Sequence, residues 1–203
     1  MVSIPLMIDL TGKKVVIVGG GKVAQRRIAS LLEASVFIVV VSPEVTTAIE
    51  ELYKQKRIQW KQKKCSPEDL NDAFLIIVAT NNQEVNQTVV HSAPKQALVN
   101  AAADAELGNV QFPIQLRRGK LSIAISTNGA SPILAKKIKK HLEHYFDDSY
   151  ENYLDFLFEA RTLIKQSTLS DQEKRLLLKN ITADDYLNKD HQLHMLTWIK
   201  QQN

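Results

Sequence analysis

The chain has 203 residues, 44% apolar and 24% charged, with a formal charge of +4, a profile that fits a globular protein with one core, or one and a small second one. That charge does not demand nucleic acid, no apolar run is long enough to cross a bilayer, and MVSIPLMIDLTGKK lacks the basic start of a secretory signal. The only cysteine, Cys65, excludes an internal disulfide and a Cys-based zinc site, so a cytoplasmic enzyme or binding protein is expected.

The first half alternates strand-like and helix-like runs, the pattern of a parallel α/β sheet. Residues 14–18 predict a short apolar strand and 23–32 a helix on Val23, Ile28, Leu31 and Leu32. Residues 36–41 (VFIVVV) predict a strand buried on both faces. A helix over 44–53 and a strand over 58–61 follow. Ser66-Pro67-Glu68-Asp69 then reads as a helix start, with Ser66 as cap and Pro67 at the first helical position. Residues 74–78 (FLIIV), 84–92 and 97–100 complete the series as strand, helix and strand. Five strands separated by helices predict a doubly wound sheet rather than a barrel.

After Pro113 the pattern changes. Residues 114–116 and 121–126 read as two strands around the basic turn Arg117-Arg118-Gly119-Lys120. Ser131-Pro132 starts a helix whose apolar stripe runs Ile133, Leu134, Ile138, Leu142, Tyr145 and Phe146. From Tyr150 everything is helical, with Ser170-Asp171-Gln172-Glu173 as a capping box and Leu193, Leu196 and Ile199 on the last helix. The expected division is an α/β domain over 1–113, a linking segment over 114–147 and a helical region over 148–203.

Gly19-Gly20-Gly21-Lys22-Val23-Ala24 fits the dinucleotide fingerprint G-x-G-x-x-A between a strand and a helix. Gly19 makes the tight turn, Gly21 lets backbone N–H groups approach a pyrophosphate at the helix N-terminus, and Ala24 lets the helix pack close to the sheet. At the end of the second strand, Val41-Ser42-Pro43-Glu44 has Ser42 where an acid would hold the ribose, with Glu44 as a second candidate. No arginine adjoins that strand end, which points to NAD over NADP. Ala79, Thr80 and Asn81, then Asn82, end the fourth strand, where the nicotinamide half would lie. Three basic groups stand out: Lys54, Lys56, Arg57, Lys61, Lys63 and Lys64; Arg117, Arg118 and Lys120; and Lys136, Lys137, Lys139 and Lys140. Each reads either as a solvated face or as a site for a small polyanion. His141 and His144, like His191 and His194, are spaced i, i+3 but lack an obvious third ligand, so no metal site is expected. No G-x-S-x-G elbow supports a hydrolase.

Several segments together resemble the NAD-dependent precorrin-2 dehydrogenases of siroheme biosynthesis, which also form the N-terminal module of multifunctional siroheme synthases. They are IPLMIDLTGKKVVIVGGGKVAQRR, VSPE, LIIVATNNQEVN, LVNAAADAELGNVQFP and RRGKLSIAISTNGASPILAKKIKKHLE, in order across residues 4 to 143. The resemblance implies a Rossmann domain, oxidation of the tetrapyrrole precorrin-2 to sirohydrochlorin with NAD as hydride acceptor, and a homodimer built by the segment after that domain. On it, Gly19, Gly20, Gly21, Lys22, Val23, Ala24, Ser42, Pro43, Ala79, Thr80 and Asn81 are expected to hold the cofactor. Arg117, Arg118, Ser126, Thr127, Asn128, Gly129, Lys136 and Lys137 are expected to hold the substrate and its carboxylates. The family commonly carries an aspartate at the position of Ala103; here the acid comes one place later, at Asp104, the expected catalytic residue, the alternative being that the acid function is absent and Asp104 is a solvated loop carboxylate. The rivals are a bifunctional dehydrogenase–ferrochelatase and a non-catalytic NAD-sensing regulator. Asp147, Asp148, Glu151, Asp155 and Glu159 in the tail count against a DNA-binding repressor.

Overall fold

The computed structural model describes residues 4–104 and 106–202; Met1, Val2, Ser3, Asn203 and Ala105, which belongs to the segment LVNAAADAELGNVQFP, lie outside them. The chain forms two compact units, one ending at Phe112 and the other beginning at Pro113. Among the described residues no helix is long and apolar enough to cross a membrane.

In the first unit, β1 (Lys14–Val18), β2 (Phe37–Val41), β3 (Gln59–Lys61), β4 (Leu75–Val78) and β5 (Leu98–Ala101) form one parallel sheet in the order β3-β2-β1-β4-β5. Alternation along β1 explains its unbroken apolar run. Val15 and Ile17 pack on one side with Ala24, Ile28 and Leu31 of α1 (Lys22–Leu31) and Ile49 of α2 (Thr47–Lys54). Val16 and Val18 pack on the other with Leu70, Ala73 and Val89 of α3 (Gln83–Ser92). A strand covered on both sides has no polar face to show in sequence.

In this unit two elements differ from the sequence expectation. α2 begins at Thr47 rather than at residue 44, because residues 43–46 are spent on the glycine loop: the Thr46 amide donates to the Gly20 carbonyl at 2.9 Å. The helix start at Ser66 yields only a single 3-10 turn, Pro67–Leu70, in the crossover from β3 to β4. Ser66 and Pro67 take the expected cap and first positions, and Asp69 adds a capping box by accepting from the Ser66 amide.

In the second unit, β6 (Ile114–Arg118) and β7 (Leu121–Ile125) form an antiparallel hairpin turned at Gly119 and Lys120; Arg117 and Arg118, expected in the turn, instead extend the strand, because they pair with Ser122 and Leu121. Gly119 has φ +52°, a conformation that favours glycine. The helices α4 (Pro132–Tyr145), α5 (Ser149–Gln166), α6 (Asp171–Asn180) and α7 (Lys189–Lys200) follow. α5 anchors a core of Tyr153, Phe156, Ala160 and Ile164 with Ile181 and Ile199, and the Tyr153 hydroxyl donates to the Ile181 carbonyl.

Candidate functional site

A cavity of about 780 Å³ opens at the carboxyl edge of the parallel sheet. It is lined by the Gly19-Gly20-Gly21 turn after β1, by residues 42–46 after β2, by Lys64 and Cys65 after β3, and by residues 79–82 after β4. This crevice lies outside the carboxyl ends of neighbouring strands, where open α/β sheets bind ligands.

The three glycines have three different reasons. Gly19 has φ +116°, and a Cβ there would stand 2.4 Å from the Ala79 carbonyl oxygen. At Gly20 a Cβ would meet the Glu44 carbonyl oxygen at 2.0 Å, so the 43–46 segment closes onto it only because it has no side chain. Sequence reasoning gave Gly20 no separate role. Gly21 is unlike both: its φ is −83°, and a Cβ there meets nothing within 4 Å. It is the N-cap of α1, with no side-chain cap and no acidic residue in the first turn. An uncapped helix start has free amides and a partial positive charge, facing here an open cavity. That space and that charge suit a pyrophosphate. Ala24 is fully buried against the sheet, while Lys22 and Val23 belong to the first turn and do not line the cavity.

Ser42 is 8% exposed, and its hydroxyl donates to the Glu44 carbonyl at 2.6 Å. The proton is thereby spent, but the oxygen still has acceptor capacity for a ribose hydroxyl. On the other side of the crevice, Thr80 is fixed by Asn86, a residue the sequence reading passed over. Thr80 Oγ1 lies 2.6 Å from Asn86 Oδ1, and Asn86 Nδ2 donates to the Thr80 carbonyl at 3.1 Å. The available signal was a polar residue one turn before Val89 on the buried side of α3. Asn82 caps that helix by accepting from the Val85 amide.

The basic run from Lys54 to Lys64 is divided by the fold. Lys54 pairs with Glu50 at 2.7 Å. Lys61 and Lys63 both reach Asp69, at 3.0 and 2.8 Å. Burial opposes the Asp69 charge, but hydrogen bonds from Lys63, the Ser66 amide, Lys61 and the Ser66 hydroxyl outweigh it and hold the carboxyl far below the usual range. The loop between these lysines and Asp69 carries Lys64 and Cys65 to the cavity wall. Burial pushes the Cys65 thiol up to about 11, so it is neutral there.

Asp104 lies in the exposed turn after β5, on the same edge of the sheet as the cavity but not among the residues lining it. β5 is two strands from β1, a lateral distance of about 10 Å. Its Oδ1 accepts from the Glu106 amide at 3.0 Å, an Asx turn that orients the carboxylate.

In the second unit, strand alternation separates the two arginines. Arg117 shares an exposed face of the hairpin with Gln115 and Ala124, whereas Arg118 follows the face of buried Leu116, with its Nε 3.2 Å from Asp148. Residues 127–130 form a turn closed by the Ala130 amide and the Thr127 carbonyl, with Asn128 and Gly129 both at positive φ. Ser126 accepts from the Asn128 amide, Thr127 from the Ser131 amide, and Ser131 caps α4 through the Leu134 amide. Lys136 and Lys137 extend from exposed positions on the first turns of that helix. The fold thus brings Arg117, the 126–129 turn, Lys136 and Lys137 into one unit, with Arg118 committed to an acidic partner.

Comparison with known proteins converges on one assignment. An NAD(P)-binding family model matches residues 6–114, a sirohaem biosynthesis central model residues 118–145, and a SirC C-terminal domain model residues 150–195. The chain is 44% identical to a precorrin-2 dehydrogenase of Priestia megaterium over 89% of its length and 90% of that protein. It is 38% identical to the precorrin-2 dehydrogenase of Bacillus subtilis (strain 168) over 78% of its length and 98% of that protein. A solved structure described as SirC, precorrin-2 dehydrogenase, superposes with a TM-score of 0.88 at 42% identity, over 98% of this chain and all of that one.

Proposed function

Since the chain belongs to the precorrin-2 dehydrogenase family, we propose that it oxidises precorrin-2 to sirohydrochlorin in siroheme biosynthesis, with NAD⁺ taking the hydride. The observation that carries this beyond family membership is the uncapped start of α1 opening onto the 780 Å³ cavity, with space beside Gly21. NAD⁺ supplies a two-electron acceptor; the protein supplies binding, orientation and a destination for the proton. The first-turn amides of α1, from Lys22 and Val23 onward, bind the pyrophosphate. Ser42 Oγ accepts from a ribose hydroxyl beside Pro43. Ala79, Thr80 and Asn81 border the nicotinamide, held in place by Asn86.

Oxidation removes a hydride and a proton, and Asp104 is our choice for the proton. Its Oδ1 is engaged by the Glu106 amide, which leaves Oδ2 as the basic atom. Precorrin-2 is rich in carboxylates, and Arg117, Lys136 and Lys137 are exposed cations suited to pair with them. The 126–129 turn presents backbone and a side-chain-free Gly129 to the ring. Arg118 acts indirectly, tying the hairpin to Asp148.

The working form is proposed to be a cytoplasmic homodimer in which residues 114–147 make the contact. Ile133 and Tyr145 of α4 are 81% and 71% exposed on a single chain, apolar surface that a second copy would cover. The test is to incubate the purified protein with precorrin-2 and NAD⁺ and follow sirohydrochlorin and NADH together. Equal yields of both are expected; NADH without sirohydrochlorin, or neither, refutes the assignment.

A further inference from the structure

Lys61, Lys63 and Lys64 stand close together in sequence, but Asp69 takes two of them. Lys64 is left as the cation lining the cavity and has no ion pair among the described residues. It stands beside the end of β2, because the Ser42 amide donates to the Lys61 carbonyl at 3.2 Å and Trp60 Nε1 donates to the Ser42 carbonyl at 2.9 Å. The strand end itself carries Ser42, without the carboxylate that would repel a phosphate on the ribose. α2 also starts on this wall, at Thr46, with no side-chain cap, so its amides add partial positive charge.

We propose that Lys64 makes this pocket accept NADP as well as NAD, its ammonium pairing with the 2′-phosphate of the adenosine ribose. The proposal rests on the dinucleotide reading above and deepens it. The opposing charge on the wall is Glu44, the carboxylate among the lining residues, and the neutral Cys65 thiol adds none. One cation and a helix start against one anion predict dual use rather than strict selection of NADP. Asp69 is the positioning residue: by holding Lys61 and Lys63 it keeps the loop folded and leaves Lys64 free.

The experiment is calorimetric titration of the intact chain with NAD and with NADP, at low and at physiological salt. NADP is expected to bind within about tenfold of NAD, and to weaken more steeply with salt. Lys64→Ala removes one charge-assisted contact, so the NADP-to-NAD affinity ratio falls about tenfold; Lys64→Arg restores it and Lys64→Glu lowers it further. NADP binding more than about a hundredfold weaker than NAD overturns the inference, as does an equal loss of both ligands in Lys64→Ala. Binding of neither dinucleotide by the unmodified chain would instead overturn the cofactor site itself, and Lys64's role with it.

Discussion

Gly21→Asp separates ligand binding from folding. The substituted side chain enters open space, since a Cβ at this position meets nothing within 4 Å and φ −83° suits any L-residue. Aspartate is a favoured N-cap and its charge complements the helix start, so fold stability should stay level or rise by roughly 0.5 kcal/mol. Binding should collapse for the same reason: the carboxylate occupies the amides that the pyrophosphate needs. Losing two charge-assisted hydrogen bonds removes about 3 kcal/mol or more. Carboxylate–phosphate repulsion adds about 1 kcal/mol even at water-like dielectric. NAD affinity should therefore fall by more than about 100-fold. Calorimetry gives the affinity and a thermal melt gives the stability. Gly20→Ala is the contrasting control, because its Cβ would press into the Glu44 carbonyl; it should lower stability by about 1–3 kcal/mol before any ligand is added. If Gly21→Asp binds NAD within about threefold of the unmodified chain, a difference of well under 1 kcal/mol, α1 does not bind the pyrophosphate.

Asp69→Asn should destabilise the first unit by about 1–3 kcal/mol at neutral pH, a figure moderated by the half-exposed lysines. Because the folded carboxyl is held below its unfolded value, its contribution is full above about pH 4 and is lost only as pH falls through the lower folded value. Melting temperatures of the two proteins should therefore converge only in strong acid. Asp104→Ala should lower dehydrogenase turnover by about 100-fold with NAD affinity retained; unchanged turnover would reduce Asp104 to a loop charge. Metal insertion needs the ring nitrogens deprotonated and leans harder on a well-placed carboxylate, so the unmodified protein should insert iron into sirohydrochlorin poorly. Efficient insertion would favour a bifunctional dehydrogenase–chelatase. Sedimentation at micromolar concentration should give twice the chain mass, and Ile133→Asp should shift it to the monomer.

The sequence by itself determined the elements whose causes are local. Unbroken β-branched runs mark strands buried on both faces, the glycine turn marks the β1–α1 junction, and Ser131 and Ser170 mark helix starts through hydrogen bonds spanning three residues. Family resemblance added the expected chemistry, carried by segments that lie in order along the chain. The tertiary structure alone decided what depends on residues far apart in sequence. Gly19 and Gly20 are needed because Ala79 and Glu44 come to rest against them, whereas Gly21 faces open space. Asn86 matters because Thr80 folds back onto it. Strand alternation put Arg117 and Arg118 on opposite faces, but only the packed unit showed which one points out. The lysines of 61–64 read as equals in sequence; one buried carboxylate, Asp69, separates them, because a charge removed from water must be matched by the donors within its reach.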